Sequence, residues 1–159
     1  MGSEMCIRDS SYGGSVENRS RFAIEVAQAV VDAVGADKTG IRLSPFSDFQ
    51  GMKMKDPVSQ FSHLVEGLKK QKLAYLHIIE SRVINNVDCD KVEGIEPFLD
   101  IWGNTSPILV AGGFSPKSAK YAVDEEYKGY ETAVVFGRHF IANPDLVVRI
   151  EKGLSLIHI

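Results

Sequence analysis

Two glycine-containing corners supply the residues best suited to bind an anion. Gly137-Arg138 follows the short apolar run Val134–Phe136, and Gly112-Gly113 follows the apolar run Pro107–Ala111. Glycine lacks a Cβ, so a ligand can approach the backbone closely, and the planar guanidinium of arginine binds phosphate through paired hydrogen bonds. Each corner alone is a weak signal, and Gly137-Arg138 alone fits an ordinary joint between a strand and a helix equally well.

A third candidate is Arg42, which lies in a short segment where apolar and polar residues alternate. Ile41 and Leu43 flank it, which is the period-two pattern of a strand with one buried face. An arginine on an inward face is costly unless an anion meets it. Arg42 therefore either stands in water on an edge strand or directs a positive charge into a site, and the pattern leaves both open.

Composition excludes several classes of partner. The chain has 159 residues, 44% of them hydrophobic, and a net charge of -3, which gives no electrostatic case for binding nucleic acid or an anionic membrane. No apolar run is long enough to cross a bilayer. The two cysteines and four histidines are scattered, so we predict no metal site. We expect a soluble protein in a reducing, cytoplasmic compartment.

Strand and helix patterns alternate along the chain. Apolar runs begin near positions 40, 73, 107 and 132, and a helix containing Phe22–Ala33 and ending at Gly35 precedes the first. Asp56-Pro57 and Ser115-Pro116 are helix starts, and Asn143 is predicted to cap the last helix with Pro144 in its first turn. The last apolar run is predicted to be a strand covered on both faces. Val83–Glu93 is predicted to be an irregular loop.

This alternation predicts an α/β fold with a parallel sheet and crossover helices. A doubly wound sheet and a (β/α)8 barrel are the two candidate architectures. No G-x-G-x-x-G motif follows any strand, whereas the glycine corners follow the last two strands, where barrels often bind phosphate. The sequence therefore favours the C-terminal half of a (β/α)8 TIM barrel, with four strand–helix units preceded by a helix. A complete barrel takes about 250 residues.

The two ends of the chain differ from its middle. Met1–Ser10 has no clear period and no signal-peptide layout, and Ser155–Ile159 is an apolar tail without a stop signal. We predict that both are non-native, adaptor-like segments, and that the partial barrel covers residues 11–154.

Four segments of the chain resemble the C-terminal half of the Old Yellow Enzyme family of FMN-dependent ene-reductases. They are Tyr12–Phe22 (YGGSVENRSRF), Gly40–Phe46 (GIRLSPF), Ala111–Phe114 (AGGF) and Phe136–Leu146 (FGRHFIANPDL), and they occur in the family's order. The resemblance implies a TIM barrel with FMN at the C-terminal ends of its strands. It also implies that NADPH, or NADH, reduces the flavin, which then reduces the activated C=C bond of an enone or enal.

The resemblance also assigns roles to residues of this chain. Arg42 matches the arginine beside the pyrimidine edge of the flavin, where it would stabilise negative charge on the reduced ring. Gly112 and Gly113 match the backbone around the FMN phosphate, and Gly137 and Arg138 match the second half of that cradle. Phe49 matches an aromatic residue near the substrate.

The same resemblance implies that this chain contains no catalytic residue. The family's substrate-binding His/Asn or His/His pair and its proton-donating tyrosine precede the YGGS segment, and His63, His77 and His139 do not match that pair. We therefore expect the fragment alone to be inactive. Two alternatives remain open: a non-catalytic barrel fragment, or another phosphate-binding barrel enzyme such as an aldolase or isomerase, which would direct a strand Lys or Glu into the site. Among the predicted strands the inward charged candidate is Arg42, with Glu80 at a strand end, and this favours a flavin site over the aldolase or isomerase alternative.

Overall fold

The computed structural model describes residues 10–81, 83–84, 87–88 and 93–157. Within these residues the helices are α1 (Val16–Val34), α2 (Pro57–Lys69), α3 (Glu96–Trp102), α4 (Pro116–Tyr121), α5 (Arg138–Ala142) and α6 (Leu146–Glu151). Short 3-10 turns lie at Ala36–Lys38 and Phe49–Gly51, and a π-helical turn lies at Ala122–Glu126. The strands are β1 (Gly40–Leu43), β2 (Tyr75–Ile79), β3 (Val83–Ile84), β4 (Val87–Asp88), β5 (Ile108–Ala111) and β6 (Thr132–Val135).

The main sheet is parallel, as predicted, with the strand order β1-β2-β5-β6. Its register sets Arg42 beside His77, His77 beside Leu109, and Leu109 beside Ala133. β3 and β4 form a separate antiparallel ribbon. The prediction of an irregular loop over Val83–Glu93 is therefore wrong at these two strands, because a two-residue strand is too short to show a period in the sequence.

The two faces of the main sheet have different surroundings. On one face Leu76, Ile78, Ile108 and Val110 are completely buried, and they share one hydrophobic cluster with apolar side chains of α2 and α3. On the other face Arg42 and Ala133 are exposed, and His77 and Leu109 are partly buried. The sheet thus has one face covered by helices and one face that remains accessible among the described residues.

Arg42 lies on the accessible face of an edge strand, so the first of its two alternatives is correct in part. β1 is the edge of the main sheet, and the Arg42 side chain is exposed. The strand β6 forms the other edge and has no fully buried residue. The prediction that this last strand is covered on both faces is therefore wrong, since its β-branched residues suit an edge as well as an interior strand.

Three predicted helix ends are confirmed. The backbone at Gly35 has φ 98°, and this residue ends α1. The Asp56 side chain accepts a hydrogen bond from the Ser59 N–H at 3.1 Å and caps α2, with Pro57 at its first position. Ser115 caps α4 through a reciprocal arrangement with Ser118. These ends were predictable because the capping atoms are close in sequence to the groups that they satisfy.

The predicted start of the last helix is wrong. Helix α5 begins at Arg138, directly after Gly137, and α6 begins only at Leu146. Asn143 is fully buried, and its amide donates to the His139 and Ile157 carbonyl oxygens, both at 2.9 Å, while its oxygen accepts from the Ile157 N–H at 2.8 Å. The side chain is therefore engaged with two other segments and does not cap α6.

Two further findings concern membrane-spanning helices and the residues outside the described part of the chain. No helix in the part of the chain that the structure describes is long and apolar enough to span a membrane. All of the predicted non-native N-terminal segment except Ser10 lies outside the described residues, as do Cys6, Cys89 and His158.

Candidate functional site

A cavity of about 250 Å³ lies at the carboxyl ends of the main-sheet strands. It brings together all five residues predicted to bind a cofactor, namely Arg42, Gly112, Gly113, Gly137 and Arg138. The rest of its lining comes from strand ends and the residues after them: Ile79, Ala111, Phe114, Val135, Phe136 and His139. Parallel strands place their carboxyl ends at the same end of the sheet. Residues separated by up to about a hundred positions therefore meet here.

The Gly112-Gly113 corner requires glycine for reasons internal to the protein. The φ angles are 138° at Gly112 and 63° at Gly113, both in the region that side chains rarely adopt. A Cβ added at Gly112 would lie 3.2 Å from both the Cβ and the carbonyl oxygen of Glu80. Backbone conformation and packing together therefore explain the first glycine of this pair.

The Gly137 corner does not require glycine for the reasons that apply at Gly112. Gly137 has φ -102°, which other residues adopt, and a Cβ added there would meet no atom within 4 Å. Neither the backbone angle φ nor the packing of the described residues therefore requires a glycine. The open space beside Gly137 is the space that a ligand approaching the backbone would use, and Arg138 follows directly at the start of α5.

The charge around the cavity is positive. Two guanidinium groups, those of Arg42 and Arg138, line it together with His139, and no carboxylate is among its lining residues in the described chain. The Arg42 side chain makes no hydrogen bond or ion pair with another described residue. Its charge does act on the neighbouring strand, because burial of the His77 imidazole and then the Arg42 charge lower the pKa of His77. This set of groups suits a doubly charged oxyanion such as phosphate.

A buried carboxylate next to the cavity was not predicted as part of the site. Glu80 is 2% exposed and Tyr127 is completely buried, and the Tyr127 hydroxyl donates a hydrogen bond to Oε1 of Glu80. Burial, followed by that hydrogen bond, raises the pKa of Tyr127. The two residues are 47 positions apart, so no local pattern links them. Glu80 does not line the cavity, although an aldolase or isomerase would direct such a group into it.

Phe49 is not brought together with the other predicted residues. It lies in the 3-10 turn after β1, is 58% exposed, and is absent from the cavity lining. His139 does line the cavity, next to Arg138, and was not predicted to do so. Its position one residue after the Gly-Arg corner is the signal that would have found it.

Comparison with known proteins decides the family. Residues 6–156 match the sequence model of the NADH:flavin oxidoreductase / NADH oxidase family. The chain belongs to this family. It is 49% identical over 150 residues to the chanoclavine-I aldehyde reductase fgaOx3 of Penicillium roqueforti, a match that covers 94% of this chain and 41% of the relative. The chain thus spans about 41% of the length of this curated relative.

Solved structures of flavin oxidoreductases have the same fold. Morphinone reductase in complex with tetrahydroNAD matches with a TM-score of 0.80 and 34% identity, over 95% of this chain and 39% of that one. An old yellow enzyme homologue from Zymomonas mobilis matches with a TM-score of 0.84 and 28% identity, over 95% of this chain and 41% of that one. The predicted resemblance to the Old Yellow Enzyme family and the predicted partial TIM barrel are confirmed.

Membership of this flavin oxidoreductase family implies FMN and a nicotinamide nucleotide as cofactors. The cavity fits the phosphate end of FMN, because its described lining residues offer positive charge without a carboxylate and leave the backbone open at Gly137. That fit rests on the chemistry of the lining residues and on the space beside one glycine.

Proposed function

We propose that this chain binds the phosphate of FMN in a flavin-dependent oxidoreductase. The observation that carries the proposal is the single cavity that joins two arginines and three glycines from separate strand ends. Family membership supplies the identity of the cofactor, and the cavity supplies the residues that would hold its charged end.

Each residue has a distinct role in this proposal. The Arg138 guanidinium and the backbone N–H groups at Gly113 and Gly137 would bind the phosphate oxygens. A hydrogen bond to a charged group contributes about 1.5–3 kcal/mol, so these contacts would favour FMN over riboflavin, which has no phosphate. Arg42, on the accessible face of β1, would lie at the pyrimidine edge of the flavin and stabilise negative charge there.

We also propose the reaction of the whole protein. In that reaction FMN would supply the hydride-transfer chemistry between NADPH and the activated C=C bond of an α,β-unsaturated carbonyl compound. The name of fgaOx3, an aldehyde reductase, supports a small carbonyl substrate. The choice of NADPH over NADH rests on the resemblance alone, and Phe49 remains a predicted substrate contact.

This chain alone should not complete a catalytic cycle. The resemblance assigns the substrate-binding pair and the proton-donating tyrosine to a region before Tyr12, and none of His63, His77 and His139 matches that pair. We therefore propose that residues 11–154 carry part of the FMN site without turnover, flanked by non-native ends. The expectations of a cytoplasmic location and of no nucleic-acid or membrane partner remain predictions.

The test compares FMN with riboflavin as ligands of the 159-residue chain. Flavin fluorescence during titration gives both dissociation constants, and we expect FMN to bind at least about tenfold more tightly, which corresponds to about 1.4 kcal/mol. Equal affinities would contradict a phosphate site. A second assay mixes the chain with FMN, NADPH and an enone, and enone-dependent oxidation of NADPH would contradict the proposed lack of turnover.

A further inference from the structure

We propose that Glu80 and Tyr127 are positioning residues for the Gly112-Gly113 corner. In this proposal, the buried hydrogen bond between their side chains fixes where the backbone of that corner stands in the cavity. The expected effect of this hydrogen bond on FMN binding rests on the phosphate-binding function proposed above. Its expected effect on the backbone position of the corner does not.

The first step is the contact between Glu80 and Gly112. Glu80 continues β2 beyond its last pair with β5, since its N–H donates to the Ala111 carbonyl oxygen at 2.8 Å. A Cβ at Gly112 would lie 3.2 Å from the Glu80 Cβ and carbonyl oxygen and 3.3 Å from its nitrogen. Gly112 thus packs directly against Glu80, so a shift of Glu80 would move the backbone of the Gly112-Gly113 corner.

The second step is the path from the corner to Tyr127. Ser115, three residues after Gly112, caps α4, and the π-helical turn that continues α4 ends at Tyr127, whose N–H donates to the Ala122 carbonyl oxygen at 2.7 Å. A π-turn changes the direction of the side chains that follow it, compared with a continued α-helix. The hydrogen bond from Tyr127 to Glu80 therefore closes a ring of contacts that begins and ends at Gly112.

The third step is the strength of that hydrogen bond. Glu80 is 2% exposed and Tyr127 is fully buried, so water does not compete for the bond and the low local dielectric strengthens it. Burial and Glu80 both raise the pKa of Tyr127, so its hydroxyl keeps the proton that it donates. A hydrogen bond with these properties can hold the backbone of the two glycines in one conformation, although glycine itself allows many.

The experiment removes this buried hydrogen bond and, as a control, an exposed tyrosine–carboxylate hydrogen bond elsewhere. Tyr127→Phe deletes one hydroxyl without changing the ring. Tyr130→Phe is the control, because the Tyr130 hydroxyl also donates to a carboxylate, that of Asp100 on α3, and neither residue lines the cavity. Both variants are made in the 159-residue chain. The readouts are the 1H–15N resonances of Gly112 and Gly113 without ligand, and the dissociation constants of FMN and riboflavin.

We expect Tyr127→Phe to shift both glycine resonances and to weaken FMN binding about tenfold, with riboflavin binding unchanged. Tyr130→Phe should change neither readout. Glu80→Gln keeps an acceptor for the Tyr127 hydroxyl, and we expect it to retain the preference for FMN.

Three results would overturn the proposal: unshifted glycine resonances in Tyr127→Phe, an equal loss of FMN and riboflavin binding, or the same loss in Tyr130→Phe. If Tyr127→Phe does not fold, loss of the FMN preference in a folded Glu80→Gln chain overturns it instead. An unmodified chain that binds FMN and riboflavin equally contradicts the proposed function, but the glycine resonances still decide whether Tyr127 positions the corner.

Discussion

The two glycine corners of the cavity differ in why they contain glycine. At Gly112 and Gly113 the φ angles of 138° and 63° disfavour a side chain, and Gly112 packs against Glu80. At Gly137 the φ angle is -102° and no atom of the described residues lies within 4 Å of an added Cβ. A glycine that the protein needs for its own fold says little about a ligand. A glycine that the described chain does not need is the better indicator, and we propose that a bound phosphate is the reason for it.

The largest expected effect is that of Gly112→Ala. Strain at a left-handed φ angle and the contact with Glu80 should lower the free energy of unfolding by about 3 kcal/mol. Urea denaturation followed by circular dichroism measures this loss. An unchanged midpoint would show that the corner is not required by the fold, and the difference between the two corners would disappear.

The next effect concerns the charge at the second corner. Arg138→Gln should weaken FMN binding by about 2 kcal/mol, because the guanidinium would no longer bind the phosphate. Riboflavin binding should not change. Titration of both flavins separates the two outcomes, and Arg149→Gln, on α6 and paired with Asp145 outside the cavity lining, is the control. Equal losses for FMN and riboflavin would place Arg138 away from the phosphate.

A smaller effect is expected for Gly137→Ala, in the direction opposite to Gly112→Ala. The free energy of unfolding should stay constant or rise by about 0.4–1 kcal/mol, since alanine restricts the unfolded chain. FMN affinity should fall about tenfold, because the new methyl group occupies the space beside the backbone. Denaturation and FMN titration on the same sample test both halves, and a loss of stability without a loss of affinity would contradict the assignment.

The smallest expected effect is a pH dependence of the free energy of unfolding, which arises from His77 next to Arg42. Burial of the imidazole and the charge of Arg42 lower the pKa of His77 in the folded chain, so the unfolded chain binds a proton at higher pH. The free energy of unfolding should therefore be unaffected by His77 above about pH 6.5 and should decrease as the pH falls below that value.

The same titration tests the position of Arg42. Arg42→Gln should move the pKa of His77 upward and reduce this slope, although burial keeps the pKa below its usual value. NMR titration of the His77 ring protons measures the shift directly. An unchanged His77 pKa would mean that the guanidinium stands too far from β2 to act on it.

The parts of the fold that were predictable depend on short-range signals. Asp56 and Ser115 satisfy N–H groups three positions away, and the alternation around Arg42 follows from the period of a strand. The two glycine corners of the cavity were predictable because they follow apolar runs whose parallel order places their carboxyl ends together. The Glu80–Tyr127 bond was not predictable, because it links positions 47 residues apart. Asn143 has the composition of a helix cap, but long-range contacts determine its role.

The contact between Asn143 and Ile157 uses only main-chain atoms of the partner segment. Both hydrogen bonds reach the Ile157 backbone, and its side chain is 54% exposed. Recognition of this kind does not depend on sequence, so chain ends of different composition can occupy the same place. This tolerance would allow a tail of different sequence to be held against the helix that begins at Arg138.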